Sequence, residues 1–171
     1  MQNWPLTIAA ILRHACAVNG DRMVTTATGQ GGYRSTSYRE LGAQAAQLAH
    51  GLRGLGITAD QRVGTFMWNN TEHLAVYLAA PAMGAVLHTL NIRLSAEQIA
   101  FIANEAEDQV IVADASLIPL LAPVLPLLIT VHTVIVAGDG DTGGLEDAGV
   151  RVLRYADVLA GHPARFDWPD V

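Results

Sequence analysis

Apolar side chains recur along this chain at two spacings, and the change from one to the other marks out its elements. Over residues 6–18, Ile8, Ile11, Leu12 and Ala15 keep a helical period that Asn19-Gly20 ends. Met23–Ala27 and Tyr33–Ser37 are short runs rich in Thr, Val, Tyr and Ser, and Thr28-Gly-Gln-Gly-Gly32 between them predicts the turn of a β-hairpin. Leu41, Ala45, Leu48, Leu52 and Leu55 return to helical spacing, with Ser37 as N-cap, Glu40 completing a capping box, and Gly54 to Gly56 as the stop. Residues 62–67 then read as a strand, 71–83 as a helix bent near Pro81, and 85–90 as a strand. A helix capped by Ser95 follows, with Ile99, Ile102 and Ala103 facing inward, before a strand at 109–114. Pro119, Pro123 and Pro126 break 116–129 into short helical pieces, Thr133–Ala137 is a strand, and 150–153 reads as one more. Strands alternating with helices call for an α/β fold: a mainly parallel sheet flanked by helices on both faces, with a small antiparallel hairpin near the N-terminus. Residues 162–171 have neither period and contain two prolines, so they read as a linker.

Composition sharpens this picture. Hydrophobic residues make up 51% of the 171, charged residues 15%, and mean hydropathy is +0.28, values that suit a packed core and leave apolar surface for a partner or further domain. Self-association as a homodimer is one expectation from this. Prolines, glycines and His88 interrupt both long apolar stretches, so neither offers the ~20 residues of a membrane span. Residues 1–7 lack the basic region of a signal peptide, and a cytoplasmic protein is expected, with peripheral membrane contact left open for a longer form. A net charge of −6 and a pI near 5.4 argue against nucleic-acid binding. All ten basic residues are arginine, which rules out a P-loop lysine or a Schiff-base lysine within this sequence. The single cysteine, Cys16, excludes an internal disulfide and reads as a small core residue.

Candidate chemistry is sparse. Gly29-Gln-Gly-Gly32 lacks the full dinucleotide fingerprint and reads as a plain turn. Asp139, Asp141 and Asp147 sit in a glycine-rich stretch but do not complete an EF-hand series, so a mobile solvated loop is favoured over a cation site. His14, His50, His73, His88, His132 and His162 show no spacing that places two ligands on one helix face. His88 stands out because it lies near the end of an expected parallel strand, although a structural role leads even there. There is no Gly-x-Ser-x-Gly elbow. No catalytic and no metal residue is assigned, and cofactor-binding residues are unknown.

Three stretches in order resemble the opening of adenylate-forming acyl-CoA synthetases. They are Thr36-Ser-Tyr-Arg-Glu-Leu41 with its exit at Leu55-Gly-Ile57; Arg62-Val63 through Trp68-Asn-Asn70 and Glu72-His73 to Ala82-Met-Gly-Ala-Val-Leu-His-Thr-Leu-Asn91 and Arg93-Leu94; and Glu97-Gln-Ile-Ala-Phe-Ile-Ala-Asn104 with Ala106-Glu-Asp108 and Val110-Ile-Val112. The last two are most similar to bacterial medium- and long-chain fatty acid–CoA ligases. Asp60-Gln61 stands where the family commonly has Gly-Asp, and Leu87-His88 where Val-Pro is usual.

The resemblance implies a two-step ligase in which a fatty acid carboxylate attacks the α-phosphate of ATP, releasing pyrophosphate, and the CoA thiol then displaces AMP, with Mg²⁺ assisting. It implies that residues 1–161 are the N-terminal α/β subdomain of a large adenylation domain and that 162–171 are a linker stopping before the family's Ser/Thr/Gly-rich phosphate loop. Since that loop ends in Pro-Lys-Gly and this chain has no lysine, the fragment is expected to scaffold and not to catalyse. ATP, Mg²⁺ and CoA belong to the full-length enzyme. Gly84 is expected to serve close strand–helix approach. Two rivals stay open: a non-catalytic dimerisation or binding module, and an independent doubly wound nucleotide-binding domain.

Overall fold

A computed structural model describes residues 5–29 and 31–170, the side chains of residues 146 and 147 excepted. Helix α1 (Ile8–Val18) starts at Thr7, whose hydroxyl accepts the Ala10 N–H, and is followed by the hairpin β1 (Met23–Ala27) and β2 (Tyr33–Ser37). Helix α2 (Tyr38–Gly54) begins with the expected capping box between Ser37 and Glu40. Then come β3 (Arg62–Phe66), α3 (Thr71–Ala82), β4 (Val86–Thr89), α4 (Ala96–Glu105) and β5 (Asp108–Asp114). The proline-rich stretch forms two 3₁₀ turns around the short helix α5 (Ile118–Leu121), as its three prolines require. Strand β6 (Thr133–Ala137), a 3₁₀ segment (Gly143–Ala148), β7 (Arg151–Arg154) and α6 (Tyr155–Leu159) complete the order. Helix α6 has no counterpart in the sequence reading, because five residues are too few to display a period.

The hairpin pairs antiparallel, and the remaining five strands form a wholly parallel sheet in the order β4-β3-β5-β6-β7. Parallel strands buried on both faces are apolar throughout, and successive side chains alternate between two cores. Val63, Val110, Val112 and Ile135 face one core with α1, α2, α3 and α6. Phe66, Ile111, Val134 and Val136 face the other with α4, α5 and Leu145 of the 3₁₀ segment. Of the three positions expected to face inward on α4, Ile99 and Ala103 are buried and Ile102 is half-buried. No described helix is long and apolar enough to cross a membrane.

Cys16 lies between α1 and α2. Its thiol donates to the Tyr38 carbonyl at 3.2 Å, a Cβ at Gly42 would collide with its sulfur, and burial pushes its pKa up against the pull of Arg39. Residues 162–170 contain no helix or strand but lie along α2. Gln47 Nε2 donates to the His162 carbonyl at 3.2 Å, His50 Nε2 lies 2.9 Å from the Arg165 carbonyl, and the Arg53 guanidinium sits 4.7 Å above the Phe166 ring.

Gly84 has φ +92°, so the α3–β4 turn needs the left-handed conformation that glycine adopts freely. Its carbonyl accepts the Asp60 N–H at 3.0 Å, and Asp60 is itself left-handed, with φ +64°. Asp60→Gly should therefore stabilise the fold by about 0.5–1 kcal/mol in urea unfolding; a loss of stability would show that the turn is not strained.

Candidate functional site

A right-handed crossover from β3 to β4 places α3 on one face, and the return from β4 to β5 on the far side of β3 places α4 on the other. The strand order thus reverses between β3 and β5, and open α/β sheets bind ligands outside the carboxyl ends of the strands at such a point. Here those ends carry Trp68-Asn69-Asn70 after β3 and Asp114-Ala115-Ser116 at the end of β5.

These residues are tied together. Trp68 Nε1 donates to Ser116 Oγ at 3.0 Å, Ser116 Oγ donates to Asp114 Oδ1 at 2.7 Å, and Asn70 Nδ2 donates to Asp114 Oδ2 at 3.0 Å. Asn70 also caps α3, its Oδ1 accepting the His73 N–H at 2.9 Å. Asp114 spends both oxygens on orienting neighbours, and the half-exposed Trp68 ring is left as an apolar wall. The crevice above them holds about 480 Å³ and is closed by hairpin residues Thr26 to Gly29 and Arg34.

The hairpin is fastened to the first turn of α3 by a two-toothed ion pair. Arg34 Nη1 and Nη2 donate to the two Glu72 oxygens at 2.7 and 2.6 Å, and Thr26 and Thr71 exchange a hydroxyl hydrogen bond at 2.8 Å. Burial works against ionisation of Glu72, but the hydrogen bonds and charge of Arg34 and its own N–H outweigh it and hold the carboxyl below the ordinary range. On the far side of this bridge a second, more polar cavity of about 520 Å³ lies at the ends of β6 and β7.

The histidines do not converge on a metal, and no described cluster of three or more His, Cys, Asp or Glu is arranged to hold one. His73 is a core residue: Nδ1 donates to the Trp68 carbonyl at 3.1 Å and Nε2 accepts from Thr65 Oγ1 at 2.9 Å, and burial lowers its pKa against the effect of the Trp68 carbonyl. His88 Nδ1 lies 2.9 and 3.0 Å from the two oxygens of fully buried Asp108. The two residues stand on strands either side of β3, and Gly64 between them leaves the room: a Cβ there would lie 2.9 Å from Asp108 Oδ2. Burial pushes the Asp108 carboxyl up, against the pull of His88 and Arg62. His88 is thus held within the sheet by Asp108. His50 stacks on His162 with ring centroids 5.7 Å apart, His132 accepts or donates locally at Thr133, and His14 is exposed on α1.

The glycine-rich stretch is less free than expected, since Leu145 is fully buried and Asp141 Oδ1 accepts the Gly143 N–H at 2.9 Å. Asp139 is exposed, and the Asp147 side chain lies outside the described residues, as does Gln30 of the hairpin turn. Gly29 and Gly31 have φ of +90° and +75°, in keeping with a plain turn. Arg34, Glu72, Asn70, Asp114 and Ser116, which build the crevice, carried no assignment in the sequence, because the pairings that bring them together, Arg34 with Glu72, Asn70 with Asp114 and Trp68 with Ser116, span 38 to 48 residues and leave no local pattern.

An open parallel sheet with a polar crevice at its reversal defines a ligand-binding domain of the doubly wound α/β class. Residues 12–158 match the family of AMP-binding enzymes, and the chain belongs to that family. It is 34% identical to 3-methylmercaptopropionyl-CoA ligase of Ruegeria pomeroyi, aligning over 100% of this chain and 32% of that protein. It is 40% identical to long-chain-fatty-acid–CoA ligase of Thermus thermophilus, over 93% of this chain and 28% of that one. Among solved structures, a putative long-chain-fatty-acid CoA ligase from Rhodopseudomonas palustris superposes with a TM-score of 0.79 at 28% identity, over 97% of this chain and 39% of the other. The anthranilate CoA ligase AuaEII, at 19% identity and a TM-score of 0.84, shares the fold. The chain thus spans about a third of the length of the curated relatives it matches.

Two outcomes follow from the site. Because the folded pKa of His73 is depressed below the ordinary 6.5, its contribution is complete above that value and is lost as pH falls through 6.5 towards the folded pKa. Thermal unfolding should show stability dropping over that window with a slope of up to ~1.4 kcal/mol per pH unit, and His73→Gln should flatten it. Gly64→Ala should cost about 1–3 kcal/mol by forcing Asp108 off His88; unchanged urea unfolding would mean that β3 yields easily there.

Proposed function

We propose that this chain is the N-terminal part of an AMP-forming acid–CoA ligase acting on a medium- or long-chain fatty acid, with residues 1–161 as the α/β subdomain of its adenylation domain and 162–171 as the connection to a phosphate-binding loop. The observation that supports this is the match of nearly the whole chain, at 34% and 40% identity, to curated CoA ligases. The crevice residues suit a wall of the acyl and nucleotide site: an indole face at Trp68, amides at Asn69 and Asn70, and a Ser116 hydroxyl tied to Trp68 and Asp114. They do not suit the triphosphate grip, because the chain has no lysine and no described metal cluster. ATP, Mg²⁺ and CoA are on this reading handled by the whole enzyme, with this segment scaffolding them.

The test is to extend the coding sequence past Val171, express the longer protein, and measure acid-dependent release of AMP and formation of thioester with 3-methylmercaptopropionate, octanoate and palmitate. AMP and thioester in equal amounts, highest with one of the fatty acids, are expected. Best turnover of 3-methylmercaptopropionate would move the substrate to that class, and no AMP with any acid would end the ligase reading. The alternative, a non-catalytic dimerisation module, has one observation in its favour: α1 leaves Ile11 and Val18 44% and 66% exposed. A stable dimer together with no AMP formation would select it.

A further inference from the structure

Tyr155 is nine-tenths buried at the start of α6, yet its hydroxyl reaches no hydrogen-bond partner among the described residues and is shut off from solvent. An orphaned buried hydroxyl is costly, so its retention asks for a state in which it is paired. Its charged neighbours are Glu72 and Arg34, both close enough to act on the phenol, and burial with the Glu72 charge pushes its pKa far up, so it stays a neutral donor. In the present arrangement Arg34 occupies both Glu72 oxygens.

The cavity these residues border is polar, and Arg154 also lines it. Arg154 Nη1 donates to the carbonyls of Gly138 at 3.3 Å and Gly140 at 2.8 Å and forms no ion pair among the described residues, so its charge and most of its five donors are unspent. The carboxylates Asp139 and Asp157 stand exposed at the rim, where water screens them. Arg34 is half exposed and borders both this cavity and the crevice at the strand reversal.

We propose that this cavity is a binding site for a phosphoryl dianion, held between Arg154 and Arg34, and that Tyr155 takes over the Glu72 carboxylate when Arg34 turns to the ligand. The exchange leaves every buried group paired: the dianion accepts from both guanidiniums, and Glu72 accepts from the phenol in place of Arg34. A monoanion only replaces one carboxylate on Arg34 with another, whereas a dianion shared by two guanidiniums gains a second charge-assisted contact. The site stands apart from the Trp68–Ser116–Asp114 network and does not depend on the ligase reading, since it is read on this chain alone.

The test titrates the 171-residue chain with inorganic phosphate, glycerol phosphate and acetate, following the arginine side-chain N–H resonances and the unfolding temperature, in the wild type, Tyr155→Phe and Arg154→Gln. Expected are saturable phosphate binding with shifts at Arg34 and Arg154, no competition by acetate, and at least a tenfold weaker affinity in Arg154→Gln. Tyr155→Phe should be as stable as the wild type or more so without phosphate, and should bind it at least fivefold more weakly. Tighter binding of glycerol phosphate than of phosphate would support a phosphomonoester ligand, and equal binding would support the free ion. If phosphate raises the unfolding temperature no more in the wild type than in Arg154→Gln, or if Tyr155→Phe binds unchanged, the proposal fails. Should Tyr155→Phe not fold, the wild-type and Arg154→Gln arms decide alone.

Discussion

The handedness of parallel crossovers is the constraint on which this structure turns. A right-twisted sheet accepts a connecting helix on one side only for a given direction of travel. Because the chain steps from β3 to β4 and then returns past β3 to β5, α3 and α4 must cover opposite faces. The two cores, the alternation of side chains along each strand and the crevice between the β3 and β5 ends are consequences of that one reversal. Trp68, Asn70, Asp114 and Ser116 meet there although they lie far apart in the chain, and their hydrogen bonds fix the mouth of the sheet.

The hairpin is the second layer of this arrangement. Two short strands do not hold together alone, and β1 and β2 depend on what they lean against. They lean on the first turn of α3 through polar contacts, Arg34 to Glu72 and Thr26 to Thr71, and not through an apolar core. Polar attachment gives direction without bulk, and it leaves open cavities on both sides of the bridge. The charged groups that fasten the hairpin are therefore also the ones any ligand at the strand ends would encounter first.

Much of the fold was legible before any coordinates. Hairpin strands, the capping box at Ser37, the helix cap at Ser95 and the strand–helix alternation rest on local rules, and each appears where the pattern put it. Helix α6 and the packing of residues 162–170 on α2 were not legible, since a five-residue helix shows no period and a strap held by Phe166 beneath Arg53 follows from tertiary contact alone. The site was the least legible part. His88, singled out by its place on a strand, turned out to pair with Asp108 inside the sheet, while the crevice is built from Asn, Ser, Asp and Trp side chains with no spacing motif. Gly84 carries a backbone angle that the residue type allows but that no periodicity displays.

The lone thiol between α1 and α2 gives the molecule an internal clock. With its sulfur against Gly42 and its proton given to the Tyr38 carbonyl, Cys16 is half-buried, and α2 shields it on one side while the two helices stay together. Alkylation should quicken whenever α1 lifts away, so its rate under native conditions reports on the partings of the N-terminal helix from the rest of the domain. With no second cysteine in the chain to confuse the signal, that motion can be timed without adding a label.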